Sequence, residues 1–249
     1  MSDPVVMVAV VAGTFVLAGL VKGVIGLGLP TLAMALLGSV MPPAHAAGIL
    51  IVPSLATNVW QMLAGPGLAG LARRLWTMMA AIAAGTWAGA GLLVAGDSGA
   101  TRSLLGLSLI VYAGLGLAAV PMRVPPALER WLSPGAGAAT GIVTGATGVF
   151  VIPSVPYLQA LGLDRDELVQ ALGLSFTVST LALMAVLTRE GIFQTQAAAW
   201  SLFALLPAVG GVQLGQRLRA RISAVVFRRC FFAGLAALGG HLLLSSAMR

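Results

Sequence analysis

Long stretches of the chain carry almost no polar position. Residues 4–21, 45–64, 75–96, 103–120, 168–187 and 197–215 are apolar and nearly uncharged. Each is close to the ~20 residues that a helix needs to cross a bilayer. They are apolar on all sides, whereas the strands of a membrane barrel alternate. The pattern predicts an all-α integral membrane protein. Glycine and proline interrupt it. Gly19 to Pro30 reads GLVKGVIGLGLP, so a lysine sits among helix-weakening residues inside an apolar run. Pro30, Pro53, Pro153, Pro156 and Pro207 also lie in such runs, where each should bend or end a helix.

A comparison of the chain with itself is productive. Gly19-Leu-Val-Lys-Gly-Val-Ile-Gly26 lines up with Gly141-Ile-Val-Thr-Gly-Ala-Thr-Gly148 at an offset of 122. Pro30 then pairs with Pro153, Trp76 with Trp200, Gly85/Gly89 with Gly211/Gly215 and Arg102 with Arg228. One transmembrane transporter domain over 1–249 is expected, with repeat one at 1–121 and repeat two at 122–249. The linker runs from Pro121 to Arg130. The Gly85/Gly89 and Gly211/Gly215 pairs read as close helix packing.

Composition changes the picture little. The chain is 59% hydrophobic and 8% charged, where a soluble domain carries roughly 25% charged residues. The net charge of +7 is explained by basic residues flanking spans on the cytoplasmic side, so nucleic acid is not an expected partner. The opening Met-Ser-Asp-Pro lacks the basic start of a cleaved signal peptide. Cys230 stands alone, which rules out an internal disulfide. Two histidines and one cysteine form no metal-ligand set. Hydrolase and nucleotide-binding motifs are missing, so no cofactor and no enzyme chemistry are expected.

Arginine positions bear on topology. If each Gly-rich stretch is a hairpin tip, each half has about four long spans plus a broken or re-entrant half-helix, and the halves are inverted. Arg73, Arg74, Arg123, Arg130, Arg165, Arg217, Arg219, Arg221, Arg228 and Arg229 then fall on one side, and Arg102, Arg189 and Arg249 on the other. That bias marks the first side as cytoplasmic and both termini as extracytoplasmic, in the cell inner (plasma) membrane. Length agrees, because 135–162 as one helix would be about 42 Å long against a ~30 Å hydrocarbon core.

Inverted halves with broken helices are a design of secondary transporters. Helix starts at the two breaks present free amides and partial positive charge to an anion. The expected substrate-binding residues are Lys22, Gly23 and Gly26 at the first break and Thr144, Gly145, Thr147 and Gly148 at the second. Thr57, Asn58 and Ser175 on the following spans complete the set. Ser54, Thr57, Asn58 and Gln61 share one helix face by spacing. His45 reads as interfacial and His241 as structural. The partners expected are a small anionic substrate and the lipid bilayer, and a homo-oligomer is compatible with this reading. A channel-like permease, or a membrane enzyme or assembly subunit without transport, is the alternative.

Gly19–Pro30 and Gly141–Pro153, each followed by a Pro-containing apolar run, resemble the TauE/SafE sulfite exporter family, also called the 4-toluene sulfonate uptake permeases. The resemblance extends to the basic segment Gly215 to Ser223. Leu27, Leu29, Val149 and Phe150 stand where the family carries further glycines. The resemblance implies transport, as an exporter in that family's sense, of sulfite, sulfonates, sulfo-carboxylates or related anions.

Overall fold

The computed structural model describes residues 4–94, 98–118 and 122–247. Among these the regular structure is entirely helical, in ten helices. They are α1 (Pro4–Ile25), α2 (Leu29–Val40), α3 (Pro43–Leu63), α4 (Leu68–Val94) and α5 (Ser98–Ala118), then α6 (Pro126–Thr147), α7 (Ser154–Ala160), α8 (Arg165–Arg189), α9 (Thr195–Arg219) and α10 (Ala224–Ala247). Seven are long and apolar enough to cross a membrane: α1, α3, α4, α5, α8, α9 and α10. The last was not among the apolar runs, because Arg228 and Arg229 interrupt its start. Helix α6 is equally long but opens with Glu129 and Arg130. Trp60, Trp76, Trp87 and Trp131 are exposed, as tryptophans at a membrane interface are.

Glycine seams set the packing. A β-carbon at Gly19 or Gly23 of α1 would strike the Ala208 or Val212 carbonyl of α9. One at Gly211 or Gly215 would strike the carbonyls of Val16 or Leu20 in return. The second seam repeats this, with Gly137, Gly141 and Gly145 of α6 against Met78, Ile82 and Thr86 of α4. Backbones approach this closely only where side chains are absent. The Gly85/Gly89 and Gly211/Gly215 pairs are therefore packing devices, as their spacing predicts.

The contacts also fix direction. Contacts advance together along α1 and α9, and along α4 and α6, so each pair is parallel. Helices α3 and α9 are parallel too, since Gly48 faces Ala197 and the Val52 amide donates to Ser201 Oγ at 2.8 Å. Helices α3 and α8 are antiparallel, because Gln61 and Met62 meet Val169 and Gln170. Helices α5 and α10 are antiparallel, with Ser103 bonded to Ser246 and Gly116 against Phe232.

Both Gly-rich stretches are hairpins. Met7 of α1 and Met41 after α2 line one cleft, so that chain returns to the end it started from. In the second, the Val124 amide before α6 donates to the Ala160 carbonyl closing α7, at 2.9 Å. These directions gather Arg73, Arg74, Arg123, Arg130, Arg165, Arg217, Arg219, Arg221, Arg228 and Arg229 at one end of the bundle. Arg102 and Arg189 lie at the other, and Arg249 lies outside the described residues.

Two local features qualify the sequence pattern. Pro53 and Pro207 lie within α3 and α9 and end neither. Their helices are held on several sides, so losing one amide donor is not enough to break them. The second return leg does not begin at the glycine turn itself. Val149, Phe150 and Val151 are non-helical and fully buried, and α7 starts only at Ser154. An apolar run can satisfy burial without forming a helix when a proline, here Pro153, delays the first turn.

Candidate functional site: a buried lysine at the first hairpin

Helix α1 stops because the chain turns left-handed twice, at Gly26 (φ 82°) and Gly28 (φ 100°). Residues with a β-carbon rarely adopt these angles. Gly28 is the N-cap of α2 and packs against Phe231 and Val21. At Gly26 an added β-carbon would meet nothing within 4 Å, so the tip faces open space. One turn earlier stands Lys22, only 7% exposed.

The Lys22 ammonium donates to Thr57 Oγ1 at 3.2 Å and to Asn58 Oδ1. Both acceptors are neutral oxygens on α3. Thr57 passes its own proton to the Pro53 carbonyl at 2.8 Å, which leaves its lone pairs to face the lysine. A lysine only donates, so it draws the carbonyl side of the Asn58 amide toward itself. The Asn58 Nδ2 group is then buried without an acceptor. Ser54 Oγ and Gln61 Oε1 on the same helix are likewise buried and unpartnered. So are Ser175 and Ser179 on α8 and Thr31 in the first turn of α2. Native interiors leave few such groups unmatched, and concentrations of them mark places where water or a ligand belongs.

The remaining expected residues are placed differently. Gly23 and Gly145 turn their open faces to the packing seams. Thr144 and Thr147 donate to the carbonyls of Thr140 and Val143, each at 2.7 Å, and neither bonds Lys22. Gly148 is left-handed (φ 72°) and closes on the Met34 side chain of α2, so the second tip meets the first hairpin through a methionine. Thr177 and Thr180 bond their own helix. His241 is exposed on α10.

Several functional candidates escaped the sequence reading. Gln170 is buried and donates to the Met62 and Gly65 carbonyls, while accepting from the Gly67 amide. It ties the α3–α4 turn to α8. Arg74 and Glu129 form a two-pronged ion pair, at 2.6 and 2.8 Å. A cleft of about 400 Å³ opens at the opposite end, between Met7, Met41, His45, Ile49, Gln194 and Trp200. Lone polar residues near span starts are the only signal for these in the sequence.

Seven long apolar helices, two broken hairpins, interior glycine seams and, among the described residues, a buried lysine held by neutral oxygens define a multi-pass membrane protein. Residues 11–242 match the family described as Sulfite exporter TauE/SafE. That match covers most of the chain, which belongs to this family. A curated relative, a "Tetracycline resistance determinant" of Streptomyces rimosus, is 34% identical over 131 residues, covering 49% of this chain and 37% of its own length. The chain thus spans little more than a third of that relative. No solved structure matches.

Proposed function

We propose that the protein is a secondary transporter of a small oxyanion of the sulfite or sulfonate class, with its site at Lys22. The observation that carries this reading is the donor set there. Lys22 Nζ has only neutral partners, and the neighbouring Asn58 Nδ2 has none. A buried cation and a free amide NH₂ side by side need an acceptor, and an anion's oxygens supply one. The unpartnered hydroxyl of Ser54, one turn before Asn58 on α3, extends the set. The open space at Gly26 supports access to it.

Inverted repeats fit the helix directions. Repeat-equivalent α3 and α8 run antiparallel, as do α5 and α10, and α1 follows α9 while α6 follows α4. On this reading the basic end is cytoplasmic and both termini are outside the inner membrane. Alternating access then exposes Lys22 to each side in turn.

Flux of sulfite, thiosulfate and a short alkylsulfonate into proteoliposomes tests the proposal, with tetracycline as comparator because of the relative's name. Saturable flux of an oxyanion that Lys22→Met abolishes is the expected result. Flux of tetracycline alone, or oxyanion flux untouched by Lys22→Met, overturns it.

A further inference from the structure

The polar ties around Arg74, Tyr157 and Gln170 at the basic end have no repeat counterparts at the opposite end, where Arg102 bonds the Gly38 carbonyl and Ser103 bonds Ser246 away from the cleft. At the basic end Arg74 of α4 grips Glu129 of α6 through both nitrogens and reaches the Leu161 carbonyl after α7 at 3.5 Å. Tyr157 of α7 bonds Ser133 of α6 at 2.7 Å. Gln170 fastens the α3–α4 turn to α8 by three bonds. So α3, α4, α6, α7 and α8 are all cross-linked at that end.

The repeat offsets identify the counterparts at the opposite end. Ala198 stands for Arg74 and Met7 for Glu129. Met34 stands for Tyr157, Val11 for Ser133 and Ala47 for Gln170. None of these five side chains can donate or accept a strong hydrogen bond. Where the ties are missing, the structure has its cleft of about 400 Å³, and Met7 lines it beside Met41, His45 and Trp200. From Ile49 in the cleft wall to Asn58 is about 14 Å along α3 at the usual helical rise.

We propose that this cleft is the open mouth of the substrate path and that the Arg74–Glu129 pair is the latch holding the opposite mouth shut. The proposal rests on the Lys22 reading for what travels the path, and it adds the entry site and the closure. His45, Gln194 and Gln196 would give the entering oxyanion its first donors. Carrying the anion to the other side requires the latch to part. The latch favours one conformation, and variants that weaken it shift the population.

Thiol accessibility tests this without any substrate. In a Cys230→Ser background, Ala197→Cys places a thiol in the cleft and Ala160→Cys places one buried behind the latch, next to Leu161. A membrane-impermeant methanethiosulfonate reagent is applied to each side of vesicles in turn. Ala197→Cys should react at least tenfold faster than Ala160→Cys, and from one side only. Glu129→Gln should slow Ala197→Cys and speed Ala160→Cys several-fold from the other side. Arg74→Lys keeps the charge but loses the fork, and should do the same more weakly. The exchanged pair Arg74→Glu/Glu129→Arg should restore the original rates. Equal reaction of both thiols in the parent, or rates that neither latch variant moves, overturns the proposal. Lys22→Met should leave the Ala197→Cys rate intact while abolishing flux, so a failure of the anion site is distinguishable from a failure of the latch.

Discussion

At the first hairpin tip the backbone turns through Gly26 and Gly28, both left-handed, beside a buried lysine that only neutral oxygens hold. At the second it turns once, at Gly148, and continues through Val149, Phe150 and Val151, all fully buried. Phe150 packs against Phe176, with tilted rings whose centroids are 5.7 Å apart. Thr144, which occupies the lysine's place, gives its hydroxyl to its own helix. On the proposed repeat, one scaffold serves both halves with different side chains at the turn. Both copies make a seam and a turn, but one carries charge and open space while the other is a plug. If Lys22 holds the ligand as proposed, a few side chains decide which of the two hairpins touches it.

The seams are where the copies should behave alike. Gly23→Leu and Gly145→Leu each drive a side chain into a facing carbonyl, and overpacking of this kind costs about 3 kcal/mol or more. Both should lose most folded protein in detergent, read by fluorescence-detected size exclusion. If only one collapses, the seams are not equivalent. The tips should behave differently. Lys22→Met should lower oxyanion flux at least tenfold, about 1.4 kcal/mol in the barrier, whereas Thr144→Val should stay within twofold in the same assay. Equal losses would mean a site shared by both hairpins. Next in size is Asn58→Leu, which removes a donor and a lysine partner. It should raise the apparent KM roughly three- to tenfold, the worth of about 1 kcal/mol of hydrogen bond. Smallest are the turn glycines. Gly26→Ala meets only the left-handed backbone penalty, of about 1 kcal/mol. Gly148→Ala must also displace Met34, so it should show the larger drop in melting temperature.

The sequence made the scaffold legible because membrane insertion leaves large signals. Apolar runs, interior glycines and the arginine bias each follow from a single solvent and its boundaries. Lys22, Thr57 and Asn58 were legible for the same reason, since polar atoms in hydrocarbon are rare enough to notice. That they meet one another depends on how α1 lies across α3, which spacing along one helix does not encode. The second break misled because glycine content looked alike in both copies, while Val149 to Val151 are buried as non-helical chain. Gln170 and the Arg74–Glu129 pair were missed because their partners lie 103 and 55 residues away, beyond any local pattern.

The exchange of seam partners has a consequence for biosynthesis. Helix α1 packs its glycines on α9, and α6 packs on α4, so neither half completes its own core. While the ribosome is still making the second half, the Gly19–Gly23 groove of α1 has only lipid against it. It waits there until α9, whose first residue is Thr195, has entered the bilayer. During that interval the nascent chain is an incomplete bundle with one bare helix, open to quality-control proteases. A chain released after α8 should be degraded rapidly, and supplying α9–α10 as a separate polypeptide should rescue it.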